Sequence, residues 1–166
     1  MKKIYLFLLF ISISAIAQNK KFNSDVILET KLSCRAILVD DEKVWMGMDK
    51  GRYGFYDKKK DTTIIKEIQS VARTTEFRSI AGTKEAIFIL AVGNPAMLIR
   101  IDRKTLEETV VYKEEHEKVF YDSMQFVDDL NGFAMGDPIE NCLAFIKTTD
   151  GGKTWQKVNC DVLPKV

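Results

Sequence analysis

Residues 148–155 read Thr148-Thr149-Asp150-Gly151-Gly152-Lys153-Thr154-Trp155, and each has a mechanical job in a β-hairpin tip. Two adjacent glycines supply the positive φ angles of a tight turn, and the Asp150 carboxylate is placed to accept hydrogen bonds from the turn's own amides. Trp155 opens the returning strand with a large apolar anchor.

Outward from this hairpin the chain repeats itself. First strands are expected at Arg35-Ala36-Ile37, Arg78-Ser79-Ile80 and Asp122-Ser123-Met124, at spacings of 43 and 44 residues. A period in the low forties built from short strands predicts β-propeller blades. Polar turns follow at Asp40-Asp41-Glu42, Gly82-Thr83-Lys84-Glu85 and Asp128-Asp129-Leu130-Asn131, and then apolar second strands over 43–47, 86–93 and 132–136. Gly93-Asn94-Pro95 and Gly136-Asp137-Pro138 recur after the second strand, with Gly47-Met48-Asp49 a weaker version; glycine before Asn-Pro or Asp-Pro is turn chemistry. Third strands are expected over 53–57, 97–102 and 143–148, with Asp57 and Asp102 standing where Asp150 would be reached in the third copy.

No stretch holds a helical apolar stripe, although 104–108 and 113–118 have helix-forming composition. The second of these, with the lone histidine His116, reads as a solvated connection. The expected fold is all-β: a partial β-propeller of about three four-stranded antiparallel blades, near 33–68, 77–112 and 120–158, with an orphan strand near 26–30. In a complete ring that strand would pair as the outermost member of the last blade. Closed propellers have four to eight blades. Three blades therefore imply either C-terminal blades beyond those present or completion by self-association.

The first residues bound the compartment. Lys2 and Lys3, an apolar run over 4–13 and Ala15-Ile16-Ala17 are the three parts of a secretory signal peptide, with cleavage expected after Ala17. The run is short for a membrane span. A domain of residues 19–166, secreted or periplasmic and without stable membrane insertion, is the expectation. Removing residues 1–18 takes two lysines from a chain of formal charge +1 and leaves about −1, a balance that attracts no nucleic acid.

Cys142 and Cys160 each lie nine residues from Gly151, so a hairpin folded there sets them opposite one another as a candidate disulfide. A register slip of one residue would separate them. Cys34, on a first strand, is expected as a small buried residue. One histidine and no clustered cysteines give no metal or cofactor motif.

The Ser/Thr-x-Asp-x-Gly-x-Thr-Trp pattern is met at Thr148, Asp150, Gly152, Thr154 and Trp155. On that hairpin, the blade period and the leader, the chain resembles exported BNR/Asp-box repeat propellers, of the photosystem II assembly-factor-like group and the sialidase superfamily, within the broader WD40/YVTN-like repeats. The resemblance covers roughly residues 26–160 and is strongest over 120–155. It implies a structural role for the Asp-box, at a hairpin facing outward from the channel. Some relatives carry an oxidoreductase label, yet the chain holds no dinucleotide fingerprint, haem motif or Cys-x-x-Cys.

Phe77-Arg78-Ser79-Ile80 resembles the Phe-Arg-Ile-Pro element of sialidases and departs from it at the third and fourth residues. A glycosidase of that type needs a tyrosine nucleophile with a glutamate and an acid/base aspartate. Tyr121 and Asp122 supply part of such a set. Arg35, Arg78 and Asp122 share one repeat position and are expected around the channel; Asp49, Asn94 and Asp137 share another and are expected as a second ring. The alternative role for Arg78 and Asp122 is to pair with each other or with backbone and hold neighbouring blades in register. These residues favour an exported, non-catalytic scaffold that takes a protein or glycan ligand at the channel rim. The sialidase-like hydrolase and an assembly factor for a membrane complex are the alternatives.

Overall fold

The computed structural model describes residues 24–165, so the signal-peptide reading of residues 1–18 lies outside them. The repeated turn chemistry cuts the chain into twelve strands in three four-stranded antiparallel sheets, each a simple meander. The first sheet is β1 (Cys34–Val39), β2 (Lys43–Met48), β3 (Arg52–Asp57) and β4 (Thr62–Glu67). The second is β5 (Phe77–Gly82), β6 (Ala86–Ala91), β7 (Ala96–Asp102) and β8 (Glu108–Glu114). The third is β9 (Tyr121–Phe126), β10 (Gly132–Ile139), β11 (Cys142–Thr148) and β12 (Gln156–Lys157), followed by a 3-10 turn at Cys160–Val162. Each sheet is one blade. β1 packs on β5 and β5 on β9, which places the first strands side by side at the axis and β4, β8 and β12 outside.

Two apolar clusters hold the blades together. Trp45, Tyr53, Phe55, Phe77, Ile87, Ile89, Ile99 and Ile101 form the seam between blades one and two. Phe88, Leu90, Leu98, Tyr121, Met124, Ala134, Ile146 and Trp155 form the seam between two and three. Because side chains alternate along a strand, β6 sends Ile87 and Ile89 one way and Phe88 and Leu90 the other. It is buried at every position, as a strand covered on both faces must be.

The turns repeat one device. Asp40 accepts the amides of Glu42 and Lys43 at 2.9 and 2.7 Å, and Asp128 those of Leu130 and Asn131 at 2.8 and 2.7 Å. Thr83 does the same through its hydroxyl to Ala86 at 3.2 Å. At the other set of turns, Asp57 accepts from Lys59 and Lys60, Asp102 from Lys104 and Thr105, and Asp150 from Lys153 and Thr154. Asp57 and Asp102 thus perform the turn-capping job of Asp150 without its flanking glycines and tryptophan.

Three expectations change. Residues 26–30 form no strand; Thr63 on β4 instead donates to the Ile27 carbonyl, so the segment crosses the face of blade one rather than extending an edge. The edge it would extend belongs to a last blade, and among the described residues the third sheet ends at β12. Cys34 is exposed, and among the described residues no blade lies over its end of β1. The 113–118 stretch is not wholly a solvated connection: β8 runs to Glu114, whose side chain is only 13% exposed.

Cys142 and Cys160 are joined by a disulfide with Cα atoms 5.5 Å apart. The pairing arises differently from the folding about Gly151. β11 pairs with β12 as Ile146↔Lys157 and Lys147↔Gln156, which would set Cys142 against Asp161. Cys160 reaches Cys142 because the chain leaves the ladder and turns at Cys160–Val162.

Candidate functional site

Three residues singled out by the repeat occupy one unusual backbone position. In the β1–β2 ladder Cys34 pairs with Met48 and Ala36 with Gly47, leaving Arg35 as the extra residue of a β-bulge. Arg78 is skipped in the same way between Phe77↔Ala91 and Ser79↔Leu90, and Asp122 between Tyr121↔Gly136 and Ser123↔Met135. A bulge re-aims the side chain of the skipped residue, and these three sit near the start of each axial strand.

The charges there do not balance in pairs. Glu76, just before β5, takes Arg35 Nε at 3.5 Å and lies 4.0 Å from Arg78 Nε. The Arg78 guanidinium stacks over the Phe120 ring at 5.0 Å, while its Nε is buried without a hydrogen-bond partner among the described residues. Asp122 is exposed and forms no ion pair there, so the alternative Arg78–Asp122 pairing does not form, and the carboxylate near Arg78 is the shared Glu76. Two arginines therefore share one carboxylate. Ser79 fixes the neighbouring strand instead, its hydroxyl accepting the Met124 amide at 2.9 Å.

The second expected ring does not converge. Asp49 caps the start of blade one, accepting the Ser33 amide at 3.1 Å and returning its own amide to the Ser33 carbonyl at 3.0 Å. Asp137 donates its amide to Phe120 O at 2.8 Å in the same role, and its side chain is exposed. Asn94, joined to Pro95 by a cis peptide bond, lines a depression of about 370 Å³ with Ser70, Thr75 and Lys113. Among the described residues no hydrogen bond or ion pair links these three.

The opposite ends of the strands carry the hairpin tips, about 20 Å away for a six-residue strand. There the blades are tied by charge. Arg103 donates to Asp40 at 2.5 Å and to the Thr83 carbonyl at 2.7 Å, and Lys84 meets Asp129 at 2.7 Å. Burial pushes the Asp40 carboxyl up, but Arg103, the turn amides and Trp45 outweigh it and carry it down to about 2. The Thr148–Trp155 hairpin joins this end: its Gly151 amide donates to Leu130 O at 2.9 Å. Asp150 accepts the Thr154 hydroxyl at 2.6 Å and the Thr148 hydroxyl at 2.8 Å, and hydrogen bonding, Thr154 foremost, holds it at about 2. Trp155 is 7% exposed and packs edge-on against Phe126 and Phe88, the latter in blade two.

Tyr121, the tyrosine that a sialidase-like reading offers, is fully buried between blades two and three. Its hydroxyl donates to Glu114 at 2.9 Å, alongside Tyr112 at 2.7 Å and Lys157. Burial, with Tyr112 and Glu114 beside it, pushes the phenol far above its ordinary range. That Tyr–Glu pair is a seam between blades rather than a group facing a ligand. Glu76 and Phe120 escaped the sequence reading because they sit in connections between blades, where no repeat position marks them, and Glu114 because it ends β8 inside a highly charged stretch.

Among the described residues no three His, Cys, Asp or Glu side chains gather to hold a metal ion, and no helix is long and apolar enough to cross a membrane.

No protein-family model and no curated protein matches the chain. Solved structures do. The structure of YCF48 bound to D1 peptide is 14% identical with a TM-score of 0.61, over 80% of this chain and 42% of that one. The structure of U3-55K is 6% identical with a TM-score of 0.63, over 81% and 41%. The Myceliophteria thermophila Cps50 (Swd1) β-propeller domain is 14% identical with a TM-score of 0.56, over 81% and 42%. The chain thus spans about two fifths of the length of the structures it matches. Three meander blades with their first strands at a common axis, superposing on these structures, make the described residues a partial β-propeller.

Proposed function

We propose that this chain is an exported propeller-repeat scaffold of the BNR/Asp-box kind, without catalytic function of its own, that takes a polypeptide partner at the strand-start rim. The observation that carries the reading is the bulge repeated in all three blades, which turns Arg35, Arg78 and Asp122 out of the ladder at one place. A bulge repeated only for strand geometry would accept any side chain. Here two of the three are arginines sharing a single carboxylate, and one has a buried donor without a partner. The Arg78 side chain is 35% exposed, so the rest of its guanidinium stays open to an acceptor from outside. The complementary chemistry is a carboxylate, either an acidic side chain or the C-terminus of a peptide. YCF48, whose solved structure has a D1 peptide bound, lends the reading support as a propeller that holds a peptide. Residues 1–18 would be removed on export, leaving residues 19–166.

Fluorescence anisotropy with labelled peptides differing only in a free or amidated C-terminus, and in acidic or neutral side chains, tests the reading. The carboxylate-bearing peptides are expected to bind, and Arg78→Glu to lose that binding with an unchanged melting temperature. Equal binding of neutral and acidic peptides would overturn it. So would a loss of binding that merely follows a loss of folding.

A further inference from the structure

We propose that the depression beside Glu76, between blades one and two, is a second part of the rim site and binds the partner's main chain next to its carboxylate. The inference rests on the rim reading and adds to it a subsite for neutral polar groups.

Blade two departs from blade one where β6 turns into β7. Gly47 of β2 pairs with Ala36 and with Tyr53, and its equivalent on β6, Leu90, pairs with Ser79 and with Leu98. Residues 48–52 therefore connect the strands in blade one and residues 91–97 in blade two, a turn longer by two residues. The Val92 amide donates to Glu76 O at 3.4 Å, as that of Asp49 does to Ser33 O and that of Asp137 to Phe120 O. Val92 thus holds the ladder position of Asp49 and Asp137, and the added length carries Asn94 and Pro95 out of the repeat. An insertion in one repeat is a place where a binding face departs from the scaffold that carries it.

This turn forms one wall of the depression of about 370 Å³, and Ser70, Thr74 and Thr75, in the connection from β4 to β5, line the other. The Asn94 carboxamide and the three hydroxyls make no hydrogen bond among the described residues. Pro95 and Met97 supply an apolar lining. Lys113, the one charged side chain among the described residues that line it, is held by Glu115 at 2.5 Å. Neutral donors and acceptors beside an apolar patch match an amide backbone, with its N–H and C=O at every residue, better than they match a charge.

The depression adjoins the arginines. Thr75 directly precedes Glu76, and Val92 bonds to it. On the other side of Arg78 lie the Phe120 ring and the exposed Asp122 and Asp137. Those carboxylates repel an acidic partner, so the chain next to a carboxylate held by Arg35 and Arg78 leads the other way, into the depression.

Two fluorescently labelled alanine hexapeptides test this by anisotropy, one with a free C-terminus and one amidated with a central glutamate; the one that binds more tightly identifies the source of the carboxylate. In that peptide, N-methylation of the amides within two residues of the carboxylate is expected to weaken binding about three- to tenfold, and methylation further away to leave it unchanged. Asn94→Ala and Thr75→Val are expected to weaken the unmodified peptide to a similar extent, to have no effect on the N-methylated one, and to leave the melting temperature unchanged. If neither probe binds more tightly than amidated hexa-alanine, the rim reading falls and this inference with it. If a carboxylate is required but neither the methyl groups nor the two substitutions change the affinity, the rim reading stands and the subsite is overturned.

Discussion

Asp150 is bound by two hydroxyls and two backbone amides, all of which favour its charged form. Its carboxyl therefore falls from 3.8 to about 2 on folding, and so does that of Asp40. A carboxyl lowered on folding contributes stability that is fully present above its unfolded value and is lost as pH falls through its folded one. Melting temperature is accordingly expected to decline between pH values of about 4 and about 2, and less steeply in Asp150→Asn, as followed by circular dichroism across that range. Trp155 works at the same scale through volume. Its indole fills the seam against Phe88 and Phe126 and donates to Gly152 O at 3.3 Å. Trp155→Ala is expected to cost about 3–5 kcal/mol in urea denaturation. Gly152 has φ +78°, and a Cβ there would stand 2.3 Å from the Phe88 ring, so the second glycine of the turn is required by both backbone and packing.

At the scale of elements, β12 is only two residues long, too short to hold the edge of blade three through its ladder alone. Two side-chain ties supplement it. The Cys142–Cys160 bridge closes a loop of sequence separation 18, for which reduction or Cys160→Ser is expected to cost about 3 kcal/mol. Unreduced intact-mass analysis locates the bond, and a melt with and without reductant measures its effect. Glu114 at the end of β8 is the other tie, gathering Tyr112, Tyr121 and Lys157. Glu114→Ala leaves the fully buried Tyr121 hydroxyl without its acceptor and is expected to cost roughly 2 kcal/mol in chemical denaturation. Elements were legible in the sequence to the extent that turn chemistry marks them. Turn glycines, capping aspartates and apolar second strands placed all three sheets, because those residues act on their own neighbours. The route by which Cys160 reaches Cys142 was not legible, since it depends on where β12 leaves the ladder.

For the whole molecule, blade two is the common partner of both seams, and β6 contributes to each from opposite faces. Disturbing it should loosen both ends together. Trp45 reports the first seam and Trp155 the second, so Trp45→Phe and Trp155→Phe each leave one fluorescent probe. Their urea transitions are expected to coincide, and Ile89→Ala to shift both by the same amount, about 2–5 kcal/mol in stability. Separate midpoints would show that the seams unfold independently.

The sequence by itself determined the blade period, the all-β class, the capping aspartates and the shared position of Arg35, Arg78 and Asp122. All of these follow from backbone preferences and alternation, which act over a few residues and recur with each copy. The tertiary structure alone decided that the shared position is a bulge, that Glu76 and not Asp122 faces the arginines, and that Tyr121 is sealed between blades. It also decided that residues 26–30 cross a face instead of extending a sheet. Each of those depends on contacts between blades, made by residues far apart in the chain whose partners no local pattern specifies.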